Sequence, residues 1–240
     1  MKPFALLVSR PPSPLADDEY ASYLSMGGLE TWDLKSFNLT QEPLPDLDFD
    51  HYSGLIITGS PYGFTSANKD ATQRRFEAEL KDVALRAIEQ DFPMLGVCFG
   101  LEVIVDALGG KIEKAYGEEI SPVEITLTDE GVDDPMLANT PRSFHSITGH
   151  NEACTKLPEA ATVLATGENC PVQLIRVKKN TYATQFHPEI SMEGLRFRLD
   201  IYDGHYFPPG ARERIEQQAQ GANVNSAHDI IKAFVTRYAR

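Results

Sequence analysis

Residues 92–110, FPMLGVCFGLEVIVDALGG, constrain the fold of this chain more than any other stretch. Phe92, Met94, Leu95 and Val97 make a short apolar run suited to a buried strand, and Leu101, Ile104, Val105 and Leu108 then repeat at helical spacing. Gly109 and Gly110 stop that helix. Cys98 falls where strand becomes helix, flanked by Gly96 and Gly100, whose missing side chains allow a tight corner. The free N–H groups and the positive end of the helix dipole face the sulfur and favour an anion there, and the N–H of Phe99 can point at an oxyanion. A lone cysteine is ordinarily a small buried filler. Two glycines at this spacing turn the reading toward a nucleophile.

The remaining pattern says where such a corner would sit. Phe4 to Val8 reads as a first buried strand, followed by a proline-rich loop over residues 11–14 and a helix ending at Gly27 and Gly28. Residues 29–34 are expected to be the next strand, and residues 54–58 another, leading into the turn Gly59-Ser60-Pro61-Tyr62-Gly63. Residues 69–90 form an amphipathic helix through Phe76, Leu80, Val83, Ala84 and Ala87. Strands alternating with helices predict an α/β fold, three layers around a mostly parallel sheet, with sites beyond the carboxyl ends of the strands. Beyond Gly110, residues 122–128, 161–165, 172–177 and 181–185 are expected to form the sheet edge and a small antiparallel layer. Helices are expected over residues 211–220 and 226–238, the second capped by Ser226, in a helical extension (190–240) of a single domain spanning 1–240. Tyr202, Tyr206 and Phe207 form an aromatic cluster before Pro208 and Pro209.

Charge and cysteine usage narrow the function classes. With 22 basic and 35 acidic residues the net charge is −13, which disfavours nucleic acid and other polyanions. Cys98, Cys154 and Cys170 are too scattered for a disulfide framework or a four-thiolate zinc site, and fit a reducing cytoplasm. The early apolar run is too short for a signal sequence and no later run is long enough to span a membrane. His145 and His150 have no carboxylate or cysteine at ligand spacing to complete a metal set, so no metal or cofactor is expected. His51, His205 and His228 read as surface residues, and Cys154 and Cys170 as packing residues.

A second motif, Gln185-Phe186-His187-Pro188-Glu189, ends the last predicted strand. His187 is two residues from a carboxylate, with Pro188 stiffening the turn between them. Together with Gly96-Val97-Cys98-Phe99-Gly100 it resembles the class I glutamine amidotransferases, above all free-standing members related to the glutaminase domain of GMP synthase. The resemblance runs from the first strand to about residue 190 and implies a flavodoxin-like class I glutaminase fold. It implies that Cys98 attacks a carboxamide, that His187 moves the proton and that Glu189 orients the ring. The family's Gly-Gly-Pro turn, here Gly59-Ser60-Pro61, implies a second oxyanion donor from Ser60 or Gly59 beside Phe99, since Pro61 has no N–H. His150-Asn151-Glu152 matches the family's His-Gly-Asp segment, whose backbone helps hold the glutamyl head.

Glu102 departs from the resemblance, because the family generally carries Gln four residues after the nucleophile. Ionised, it would only accept hydrogen bonds, repel a substrate carboxylate and tilt the site toward a more cationic amide. The other reading turns it outward toward Lys111 as a solvated residue. Three functions stay open: a glutaminase serving a separate synthetase subunit, a hydrolase of γ-glutamyl amides or peptides with no partner, and a binding protein of the same fold. An intact Cys98, His187 and Glu189 speak against the third.

Overall fold

The computed structural model of the chain describes residues 1–202 and 211–240. The first half alternates strand and helix. β1 (Phe4–Val8) leads to α1 (Pro14–Gly27), which Ser13 caps by accepting from the Ala16 N–H and Gly28, at φ 63°, terminates. β2 (Leu34–Asn38) and β3 (Gly54–Ile57) follow, and then α2 (Ala71–Glu89), whose Asp70 cap accepts from the Gln73 N–H. β4 (Met94–Val97) and α3 (Phe99–Ala107) enclose Cys98. The second half is strand-rich: β5 (Lys111–Glu113), β6 (Glu118–Leu127), the short α4 (Asp129–Val132), β7 (Ser143–His150), β8 (Ala153–Lys156), β9 (Ala161–Gly167), β10 (Leu174–Val177) and β11 (Thr181–Thr184). Helices α5 (Met192–Tyr202), α6 (Ala211–Ala219) and α7 (Asn225–Tyr238) close the chain.

Among the described residues, nine strands form one sheet in the order β2-β1-β3-β4-β11-β10-β9-β6-β7, and β5 and β8 make a separate two-stranded antiparallel sheet. Pairings from β2 through to β11 are parallel, and those from β11 to β7 are antiparallel. The late strands carry the main sheet toward its edge through β10, β9 and β6, as expected, while the small antiparallel layer is β5 with β8 and β11 lies in the middle of the main sheet against β4. The alternation of β1 splits the core. Ala5 and Leu7 join the α2 and α3 face with Phe76, Leu80 and Ile104, while Phe4, Leu6 and Val8 join the other face with Tyr23 of α1 and Phe234 of α7. Each such fully buried large apolar side chain contributes about 1.5–3 kcal/mol, which explains why both faces of the central strands read as continuous apolar runs.

Some local expectations change. Residues 29–34 are not a strand: Trp32 is 74% exposed in a short 3-10 turn, and pairing with β1 begins only at Leu34. Ser226 does not cap α7; the N-cap position is Val224, and Asn223 accepts from the Asn225 N–H just before it. α7 packs on the sheet, with Phe234 and Phe4 ring centroids 5.8 Å apart. His205, Tyr206, Phe207 and the following prolines lie outside the described residues, as does the Tyr202 side chain.

Candidate active site

Strand register brings the two motifs together. β4 lies between β3 and β11, with Gly96 opposite Ile57 on one side and Val97 opposite Thr184 on the other. All three strands point the same way, so the Gly59 turn, Cys98 and the 185–189 segment leave the sheet side by side. The Cys98 N–H donates to the Thr184 carbonyl at 2.7 Å, and the His187 N–H donates to the Ile147 carbonyl of β7 at 2.8 Å.

Cys98 itself takes the strained backbone of the corner, at φ 51° and ψ −99°. A non-glycine residue held there costs on the order of 1–3 kcal/mol, which the surrounding packing must offset. The flanking glycines allow the tight corner, as their spacing implied, and also bring the helix close to the neighbouring strand. A Cβ on Gly96 would lie 2.8 Å from the Gly100 backbone, and one on Gly100 would lie 2.6 Å from the Ile57 carbonyl oxygen. They let α3 close onto β3 and β4, so that its N-terminus is pressed against the site. The first N–H groups of a helix have no intrahelical acceptor, which leaves the Phe99 N–H beside the sulfur.

His187 and Glu189 are both buried, and the ring Nδ1 lies 2.7 Å from Glu189 Oε1. Burial alone would push the imidazole down, but Glu189 and Cys98 carry it up to about 10. Burial likewise opposes ionisation of Glu189, yet His187 and Arg198 hold its carboxyl below the usual range. A Cβ on Gly59 would come within 2.9 Å of His187 Cε1, so this glycine makes room for the ring. Ser60 turns its hydroxyl to the Ser9 carbonyl at 2.8 Å and accepts from the Tyr62 N–H, pinning the turn next to Cys98.

These groups open into a cleft of about 450 Å³ that Glu102, His150, Asn151 and Glu152 also line. Glu102 is only 5% exposed, which contradicts the outward-turned reading, and Lys111 is solvent-exposed on β5. Burial and the neighbouring Cys98, Glu152 and Glu77 raise its carboxyl well above the ordinary range. Glu152 accepts from the Thr65 N–H at 2.7 Å and the Thr65 hydroxyl at 2.8 Å, tying down the loop after Gly63. His150 is clamped between the Glu152 carbonyl and the Glu118 carboxylate, each at 3.0 Å, while Asn151 is exposed at the rim.

Several residues at the site were not singled out from sequence. Gln185, within the second motif, places Nε2 3.8 Å from the Cys98 sulfur. Arg10 and Arg198 line the cleft near Glu189, Arg10 against Glu19 at 3.6 Å and Arg198 against Asp18 at 2.7 Å. Burial pushes Glu19 up to about 7, with Arg10 opposing. His228 is half-buried rather than a surface residue; its Nδ1 lies 2.6 Å from the Pro188 carbonyl and ties α7 to the His187 turn. His150 also gains the ligand-type neighbours that its own stretch of sequence lacked. Glu118 and Cys170 bring their ligand atoms to within 4.8 Å of one another and of its ring. The Glu118 oxygen facing His150 already accepts from Gln173 at 2.8 Å, so the set stands as a closed hydrogen-bond network. Burial pushes the Cys170 thiol up to about 12, in keeping with a packed thiol.

Comparison with known proteins places this architecture. The chain is 30% identical over 206 residues to gamma-glutamyl peptidase 3 of Arabidopsis thaliana, covering 80% of this chain and 78% of that one. It is 34% identical over 140 residues to a glutamine-hydrolyzing GMP synthase of Thermosipho africanus, covering 58% of this chain and 24% of that protein. The chain thus spans about a quarter of the length of the GMP synthases it matches. A glutamine amidotransferase structure from Thermotoga maritima shares the fold at a TM-score of 0.76 and 16% identity, covering 99% of this chain and 98% of that one. The profile described as Glutamine amidotransferase class-I matches residues 31–196, and the chain belongs to that family.

Proposed function

We propose that the chain hydrolyses the γ-carboxamide of glutamyl substrates through Cys98, His187 and Glu189. The observation that carries this reading is the His187 Nδ1 to Glu189 Oε1 contact of 2.7 Å, set beside a cysteine held at φ 51° on a helix N-terminus. The carboxylate keeps the Nδ1 proton in place and leaves Nε2 for the thiol proton. The Cys98 sulfur attacks the amide carbon, the carbonyl oxygen becomes an oxyanion facing the Phe99 N–H and the Gly59-Ser60 turn, and His187 delivers its proton to the departing nitrogen. Water then cleaves the thioester by the same route. No cofactor enters the scheme.

With glutamine the nitrogen leaves as ammonia, which a separate synthetase subunit would consume. A second reading, a γ-glutamyl amide or peptide hydrolase that needs no synthetase, is favoured by the match along most of the Arabidopsis peptidase. A panel of glutamine, γ-glutamyl amides and γ-glutamyl peptides, assayed for ammonia and for released amine, separates the two. Ammonia from glutamine at the highest kcat/KM supports the glutaminase, and amine release from peptides at higher kcat/KM supports the second. No release from any compound by folded protein contradicts both.

A further inference from the structure

We infer that His228, on α7, is a positioning residue for the turn that carries His187 and Glu189: its ring donates to the Pro188 carbonyl and so holds the peptide between Pro188 and Glu189 in the orientation that aims the Glu189 carboxylate at His187. The inference rests on the Cys98, His187 and Glu189 reading above and brings into it a residue beyond the stretch 31–196 that the family profile matches. The contact is short, with His228 Nδ1 2.6 Å from the Pro188 oxygen, and since a carbonyl only accepts, the ring nitrogen there carries the proton.

Pro188 has no N–H, so its carbonyl is its one polar backbone group, and the residue is buried. The chain on either side of it is held by the backbone. The His187 N–H donates to the Ile147 carbonyl of β7 at 2.8 Å, and the Ile190 N–H closes back on the His187 carbonyl at 3.3 Å. Those bonds leave the plane of the Pro188–Glu189 peptide to be set by its own two ends. The carbonyl end receives His228. The N–H end belongs to Glu189 and hydrogen-bonds to that residue's own carboxylate. A peptide is planar, so the two ends turn together, and a rotation that freed the carbonyl would carry the N–H off the carboxylate.

Little else aims Glu189. Its Oε1 meets His187 Nδ1 at 2.7 Å, and its Oε2 makes no hydrogen bond among the described residues. His228 stands on a firm base, because Ala227, Ile230 and Ile231 around it on α7 are fully buried in the same core as Val97 and Phe186. The helix that covers this face of the sheet thus reaches the turn through one side chain.

Two substitutions separate the hydrogen bond from the bulk of the ring. His228→Leu keeps an apolar side chain and removes the donor, and His228→Asn restores an N–H near the Nδ1 position. The first readout is the low-field proton resonance of His187 Nδ1–H, recorded on the whole chain and assigned by its loss in His187→Asn. It is expected in the native chain and in His228→Asn, and is expected to broaden or vanish in His228→Leu. An unchanged resonance in His228→Leu overturns the proposal, and so does its absence from the native chain, which would then hold no pair to position. His228→Ala repeats the comparison should the Leu variant not fold. The second readout is turnover of the most active γ-glutamyl compound. In His228→Leu kcat should fall by about ten- to a hundredfold while KM stays within about twofold, and His228→Asn should recover most of the loss. A lower Tm with kcat unchanged, or a loss that falls on KM, overturns the positioning role. The resonance needs no turnover, so an inactive substrate panel would count against the amide-hydrolase reading alone.

Discussion

At the 185–189 turn, a carboxylate and an imidazole of opposite tendency are locked together by two residues of chain, and each holds the other charged: Glu189 carries His187 up and His187 holds Glu189 down. Around Glu102, carboxyl groups from α3, α2 and the turn after β7 converge with too few cations to neutralise them all. The first region pairs opposite charges, and the second sets like charges against one another. Their origins differ as well. The turn inherits its position from the register of β11 on β4, whereas the acid cluster depends on three segments being packed together by the rest of the fold.

The sharpest way to break this contrast is to exchange the two buried histidines. His187→Asn should lower kcat/KM by about three to four orders of magnitude, because it removes the group that carries the proton. His150→Asn, which disturbs only the clamp between Glu118 and Glu152, should cost about tenfold. Steady-state kinetics on both variants checks this, and equal losses would mean that the wrong histidine has been assigned the proton.

A smaller effect is expected from Gly59→Ala. The added methyl would sit 2.9 Å from His187 Cε1, so the ring must shift, and kcat should drop by about a hundredfold with little change in thermal stability. An unchanged kcat would show that the ring has room the geometry denies it.

The smallest effect concerns stability. His187 is raised from 6.5 to about 10, so its contribution is complete below pH 6.5 and is lost as pH climbs through about 10. Glu189 is lowered from 4.5, so its contribution is complete above pH 4.5 and is lost as pH falls through its folded value. The Tm difference between the native chain and Glu189→Gln should therefore be largest between pH 4.5 and 6.5, amounting to a few degrees (~2–6 °C), and shrink toward either extreme. A difference that grows in alkali would contradict the paired charges.

The same contrast explains what could be read from the chain. β1, β3, β4, α2 and α3 announce themselves because buried parallel strands are apolar runs and their helices carry a clear apolar face, and Cys98 and the His187 turn follow from those elements. β7 carries no clear strand signal because its sequence, SFHSITGH, mixes polar residues and histidines into the alternation, although Phe144, Ser146, Thr148 and His150 are buried in turn with Ile147. Gly96 and Gly100 were visible as a motif, but their purpose, the approach of α3 to β3, is a contact between elements that spacing cannot express. Glu118, Arg10 and Arg198 carry no local signal. They reach the cleft from segments far apart in the chain.

The central claim is that Cys98, rather than either of the other thiols, is the nucleophile. Intact-mass and peptide mass spectrometry after treatment with a glutamine-like diazoketone tests it most directly. The account predicts a single adduct on the peptide bearing Cys98, protected by glutamine and absent from Cys98→Ser. An adduct on Cys154 or Cys170, or labelling that persists in Cys98→Ser, would contradict it.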